Sequence, residues 1–200
     1  IFERNGTTWT QIKKLSHQSS SGDGFGSSVA IQNNYAYVGA PNYNGNGSNT
    51  QTGKVFVYYN NWSTKIELQP NPRQNQGYFG RALAVDGDYL IIGASSYGRP
   101  MVYKKNSAGN DFDHEYTFGD NSNYGSIGFG QSVAIEGDVA VIGAPSYDQG
   151  GVSNTGAAFC FKRSGTSWSS ERKLLASDPQ ENDWFGNSVA VSGTTAIIGA

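Results

Sequence analysis

Few side chains in this chain are of a type and spacing that could do chemistry, so each can be weighed in turn. His17 and His114 are its only histidines. They fall at unrelated places, and neither neighbours a Ser or Cys in a nucleophile motif, so a catalytic relay is not expected. Asp86 and Asp88 lie two apart around Gly87. A tight turn there points two carboxylates apart, whereas calcium needs several oxygens converging. The single Cys160 lies in the apolar run 157–161, so it forms no internal disulfide and reads as a small buried side chain. Glycines sit at turns and strand ends and do not open a helix, which removes the phosphate-cradling loop. The expectation is a protein with no catalytic residues and no cofactor.

Three tyrosines are more suggestive. Tyr43, Tyr97 and Tyr147 each stand four residues after a Gly-Ala glycine, at the head of segments of very different length. A tyrosine offers a flat apolar ring with a polar tip, suited to stacking on a sugar or anchoring a protein. Loops of variable length on a rigid frame are where ligand contacts concentrate. The candidate ligand-binding residues are therefore Tyr43, Asn44, Tyr97, Tyr147 and Asp148, with a packing plug beneath each loop as the competing role for the rings. Trp9 and Trp168 occupy equivalent positions and read as packing residues, while Trp62 and Trp184 are placed less regularly and are candidates for exposure. Asn5, Asn46 and Asn61 each begin an Asn-x-Ser/Thr triplet, the acceptor pattern for N-glycosylation. A chain so rich in these residues also produces such triplets by chance.

The frame behind these loops is a repeat. Phe-Gly occurs at 25/26, 79/80, 129/130 and 185/186, and Gly-Ala follows each after the same 14 residues, at 39/40, 93/94, 143/144 and 199/200. The steps between copies are 54, 50 and 56 residues, so a fixed core alternates with loops free to change length. Phe2, Arg4, Gly6, Trp9, Lys14 and Leu15 recur 159 residues later as Phe161, Arg163, Gly165, Trp168, Lys173 and Leu174. The units are 1–24 (half), 25–78, 79–128, 129–184 and 185–200 (half).

Within the third unit the pattern predicts strands over 129–136, 139–145, 157–163 and 168–175. Between the first two strands of each unit lie Gln32-Asn-Asn-Tyr35, Asp86-Gly-Asp-Tyr89, Glu136-Gly-Asp-Val139 and Ser192-Gly-Thr-Thr195, turn chemistry for tight hairpins. Second strands such as Val139-Ala-Val-Ile-Gly-Ala144 are apolar on both faces, so both faces must be covered. Antiparallel four-stranded sheets stacked around an axis meet that demand. The expected fold is an all-β propeller domain or propeller fragment, three whole blades and two halves.

Phe-Gly followed by Gly39-Ala-Pro41 and Gly143-Ala-Pro145 resembles the FG-GAP repeat of integrin α-subunit propellers. Asp23, Asp183, Arg163 and Trp168 match the shorter variant found in bacterial and other secreted proteins. The resemblance spans essentially the whole chain and implies a propeller usually of seven blades. It also implies an extracellular or cell-surface module for protein interaction or adhesion. A lectin-like carbohydrate-binding propeller is the alternative, as is closure of a compact ring within these residues. Integrin-type repeats hold calcium on an Asp-x-Asp-x-Asp-Gly loop, which this sequence lacks, so no metal site carries over.

Composition narrows the partners. With 14 Lys+Arg against 16 Asp+Glu, no field draws the chain to nucleic acid. Its longest apolar runs fall far short of the ~20 residues that cross a bilayer, so no direct membrane insertion is expected. A protein partner or a glycan remains, or packing against further blades of the same parent chain or a larger assembly. Two hundred residues bury about 70% of the unfolded surface, enough for a core without staples.

Overall fold

A computed structural model describes residues 1–17, 22–45, 50–96, 99–119 and 127–200. Every regular element among them is a strand. A hairpin of β1 (Phe2–Asn5) and β2 (Thr8–Gln11) comes first. The first complete blade is β3 (Ser28–Gln32), β4 (Tyr35–Ala40), β5 (Lys54–Tyr59) and β6 (Thr64–Leu68). The second is β7 (Leu83–Asp86), β8 (Tyr89–Ile92), β9 (Met101–Lys105) and β10 (Phe112–Thr117). The third is β11 (Val133–Glu136), β12 (Val139–Ala144), β13 (Ala157–Ser164) and β14 (Ser167–Leu174). A second hairpin, β15 (Ser188–Ser192) and β16 (Thr195–Gly199), ends the chain. Each complete blade is an antiparallel meander in sequence order, and the two hairpins form separate two-stranded sheets.

The tight turns form as their residues require. Gln32 pairs with Tyr35, Asp86 with Tyr89, Glu136 with Val139 and Ser192 with Thr195. Two residues therefore close each hairpin, with left-handed Asn33, Asn34, Gly87, Gly137 and Gly193 supplying the positive φ that matches strand twist. The first strands begin later than the pattern predicts. Residues 129–132 are a turn leading into β11, because Gly130 is held at φ 95°, a conformation no strand residue adopts.

The apolar contacts lie between sheets. One cluster joins Ile91, Val102 and Phe118 of the second blade to Ile135, Ile142 and Phe161 of the third. Another joins Tyr37, Val55 and Val57 of the first blade to Leu90, Ile92 and Tyr103 of the second. Burial on both faces of β4, β8 and β12 follows from this stacking, as the apolar runs required. Trp168 is 4% exposed, whereas its counterpart Trp9 is 63% exposed, so only the third-blade tryptophan is a packing residue among the described contacts. Cys160 is half-buried rather than buried, because it shares β13 with residues of the opposite face.

The repeated motif is the stacking device. The Phe-Gly glycine donates its amide to the Gly-Ala glycine of its own unit: Gly26 to Gly39, Gly80 to Gly93 and Gly130 to Gly143, each at 2.9 Å. Its carbonyl turns to the preceding blade. Ser28 Oγ donates to Gly80 O at 2.6 Å, and Ser132 Oγ to Gly186 O at 2.7 Å. A Cβ on Gly39 or Gly143 would collide with Gly80 O or Gly186 O, so glycine is required where one blade's backbone lies on the next.

Candidate functional site

The loops after Gly-Ala start and end on one frame. Tyr43 N donates to Ala40 O and Tyr147 N to Ala144 O, both at 3.1 Å. Each tyrosine carbonyl then accepts from the residues that re-enter the sheet. Gly53 N and Thr52 Oγ1 reach Tyr43 O at 3.1 and 3.3 Å, and Gly156 N and Thr155 Oγ1 reach Tyr147 O at 2.9 and 3.1 Å. The next side chain closes the loop: Asn44 Oδ1 accepts from Gln51 N at 2.9 Å, and Asp148 Oδ1 from Asn154 N at 2.8 Å. Gly53 and Gly156 also bridge in parallel to Phe79 and Phe185 of the following unit. The described ends of two loops of different sequence are thereby held alike.

The tyrosine rings are half-buried. Tyr43 lies beneath the Lys54 ammonium, 3.9 Å from its ring centre, and packs on the first-blade cluster. Tyr147 Oη accepts from Lys173 Nζ at 2.6 Å, and its ring meets Phe159 edge-on. Both rings thus have packing contacts, while Asn44 and Asp148 spend an oxygen on loop closure. Tyr97 and Asn46 lie outside the described residues. Asn5 is exposed on β1, and Asn61 is exposed in the β5–β6 turn.

Two features of the same rim were weaker in the sequence. Trp184, just before Phe185, is half exposed and left-handed at φ 55°. Its amide donates to Asn154 O at 2.9 Å, and neighbouring Asn182 accepts from Asn154 Nδ2 at 2.9 Å. The indole therefore stands on a braced platform beside the Asp148–Asn154 loop. Between the second and third blades, a polar cleft of about 360 Å³ is lined by Tyr78, Arg81, Ser95, Ser96, Gln131 and Ser146.

Lys54 is 4% exposed inside an otherwise apolar strand. Glu67 Oε2 lies 2.9 Å from it and Glu67 Oε1 2.7 Å from Lys65. Burial alone would raise the Glu67 carboxyl, but hydrogen bonds and charge from Lys65 and Lys54 hold it below the ordinary carboxylate value.

The remaining titratable residues serve the frame. Asp86 Oδ2 accepts from Gly137 N of the next blade at 2.6 Å, and Glu136 from Gly193 N in the same manner. Asp88 pairs with Lys105. His17 Nε2 is 3.0 Å from Asp23 Oδ2, with its ring between Phe25 and Phe56 at centroid distances of 4.3 and 4.5 Å. His114 instead meets Thr117 and Tyr103, so the two histidines share no site. Among the described residues, no three of His, Cys, Asp and Glu converge as a metal would require.

The seam serines, the buried Lys54 and the His17–Asp23 pair escaped the sequence reading. Ser28, Ser132 and Ser188 do recur two residues after the Phe-Gly glycine, a signal that could have found the first of these. The other two occur once each and leave no periodic trace.

Stacked four-stranded meanders joined by a glycine-on-glycine seam define a β-propeller repeat protein. The family model described as FG-GAP repeat matches residues 9–58, 125–161 and 168–200, more than half of the chain. The chain belongs to the FG-GAP repeat family. Comparison with curated proteins found no match.

Proposed function

We propose that this chain is a non-catalytic extracellular or cell-surface module that binds a protein partner through its rim loops, in adhesion or within a larger assembly. The observation that carries this reading is the exposed Trp184 beside the braced Asp148–Asn154 loop. A large aromatic on a preordered platform loses little entropy on binding, the character of an interface anchor. Tyr43 and Tyr147 support the reading as the roots of the loops, with Asn44 and Asp148 as their clasps. Export would also expose Asn5 and Asn61 to glycosylation.

Attachment of cells to the immobilised protein, read with and without Trp184→Ala and a Tyr43→Ala, Tyr147→Ala double variant, tests the reading. Attachment should fall with Trp184→Ala at unchanged melting temperature. Attachment indifferent to all three changes would remove the rim from consideration.

The polar cleft at Arg81 favours a second reading, a lectin-like site seating one small sugar between adjacent blades. A glycan array separates the two. Signal lost on Arg81→Ala would select the sugar, and an empty array would dismiss it.

A further inference from the structure

A second groove lies away from the rim loops and rests on neither reading above. It has a volume of about 670 Å³ and runs between residues 13–17, which follow β2, and the β5–β6 hairpin of the first blade. Its walls carry Lys13, Lys14 and Lys65, the rings of Tyr58 and Trp62, and the hydroxyl residues Ser16, Ser63 and Thr64. Among the described residues, no Asp or Glu lines it. Glu67 takes up the charge of Lys65, so the exposed Lys13 and Lys14 give the groove its positive field.

The walls are fixed in advance. Tyr58 Oη donates to Ser16 O at 3.0 Å and ties one wall to the other. His17, clasped by Asp23 and two phenylalanine rings, anchors the end of the first wall. In the second wall Asn60, Asn61 and Trp62 are successively left-handed, at φ 53, 51 and 63°. Bulky residues avoid that region, and three in succession are a strain that clusters at functional sites. Ser63 holds the turn through its amide and hydroxyl, both donating to Asn60 O. The result is a half-buried tryptophan at the lip of the groove, one part of it packed on the first-blade cluster.

The corresponding seam between the second and third blades is plugged. There Phe118 fills the space against Phe161 and Trp168, at 4.7 and 5.4 Å between rings. In the earlier seam the smaller, half-buried Leu15 packs on the cluster that contains Tyr58.

The geometry points to an acidic carbohydrate as the occupant, a uronate-bearing oligosaccharide lying on Trp62 with its carboxylates toward Lys13 and Lys14. An indole face and flanking hydroxyls suit a pyranose ring, and two ammonium groups with no acid partner among the described residues suit carboxylates spaced along a sugar chain. Nucleic acid is disfavoured because two free lysines are far fewer than the six to ten phosphate contacts typical of strong electrostatic binding.

The test is calorimetric titration of the whole chain with an oligogalacturonate hexamer, with its carboxyl-reduced neutral counterpart, and with a poly-glutamate peptide. The uronate should bind. Its Kd should rise about tenfold or more in Lys13→Ala, Lys14→Ala, and again with added salt. Trp62→Ala should weaken binding similarly. Should that variant misfold, Trp62→Phe replaces it, and the exposed lysine pair carries the test alone. Variants at Trp184, Tyr43 and Tyr147 should leave this binding intact, so loss of the rim reading and loss of this one are separately visible. No uronate binding at millimolar concentration would overturn the proposal. So would equal binding of the neutral sugar, survival of binding in the lysine variant, or poly-glutamate binding as well as the uronate.

Discussion

Adding one methyl group at Gly143 should test the stacking seam most directly. Gly143 has an ordinary negative φ, so alanine there brings no backbone strain, only volume. That volume meets the Gly186 carbonyl of the next unit on one side and Ser132 Oγ on the other. The first obstacle is backbone and cannot rotate away. Forcing extra volume into a packed contact costs about 1–3 kcal/mol, and displacing Ser132 breaks its bond to Gly186, worth about 1 kcal/mol more. A loss of about 2–4 kcal/mol would lower the melting temperature of a domain this size by roughly 5–15 °C. Gly137→Ala is the control: its φ is 57°, but nothing lies within 4 Å of the added methyl, so only about 1 kcal/mol of left-handed strain applies. Differential scanning calorimetry on both variants reads the difference. If Gly143→Ala melted no lower than Gly137→Ala, the seam would not depend on backbone approach, and glycine would not be required there.

The seam serines and the buried tyrosines give two further expectations. Ser132→Ala should cost about 1–2 kcal/mol by urea denaturation, because it strips the hydroxyl from a buried carbonyl, while Ala82→Ser, at the second blade's matching position, should not destabilise and should gain up to about 1 kcal/mol; the reverse order would discredit the serine's role. Burial raises Tyr37, with the Tyr35 and Asp88 charges adding to it, and pushes Tyr103 up to about 12. A tyrosine that keeps its proton longer when folded stabilises fully below the unfolded value near 10 and loses that contribution as pH climbs toward its folded value. Melting temperature should therefore fall between about pH 10 and 12, less steeply in Tyr103→Phe, and a flat profile over that range would contradict the burial of these hydroxyls.

What could be read from the residues was local or periodic. Asp86-Gly-Asp-Tyr89 specifies a two-residue turn by itself, and Val139–Ala144, apolar on both faces, demands a cover on each side whatever supplies it. The constant interval from Phe-Gly to Gly-Ala fixes one hairpin register, which β11–β12 reproduces from Val133 against Ile142 to Glu136 against Val139. The seam bonds were not legible because they join residues 51 to 57 apart, a separation set by the rotation between blades. The platform under Trp184 and the groove beside Trp62 have the same origin. Each is built from two units at once, and Trp62 adds a turn conformation that no propensity favours.

The second unit shows which parts of the motif the stack requires. It has Ser95 where the first and third units have proline, and Ala82 where the other three have the seam serine. The family match passes over residues 59–124, most of that unit. Yet Gly93 still lies against Gly130 O, and Gly80 N still bonds to Gly93 O at 2.9 Å. Two inter-sheet clusters also bury its strands on either face. The glycine pair is therefore the element that stacking needs, and the proline and the serine refine it. The loop after Gly-Ala is anchored at its root by Tyr43 or Tyr147, and farther out Gln51 and Asn154 accept from the amides of Tyr78 and Trp184 on the approach to the next blade, so these loops add a second link between consecutive units beside the glycine pair.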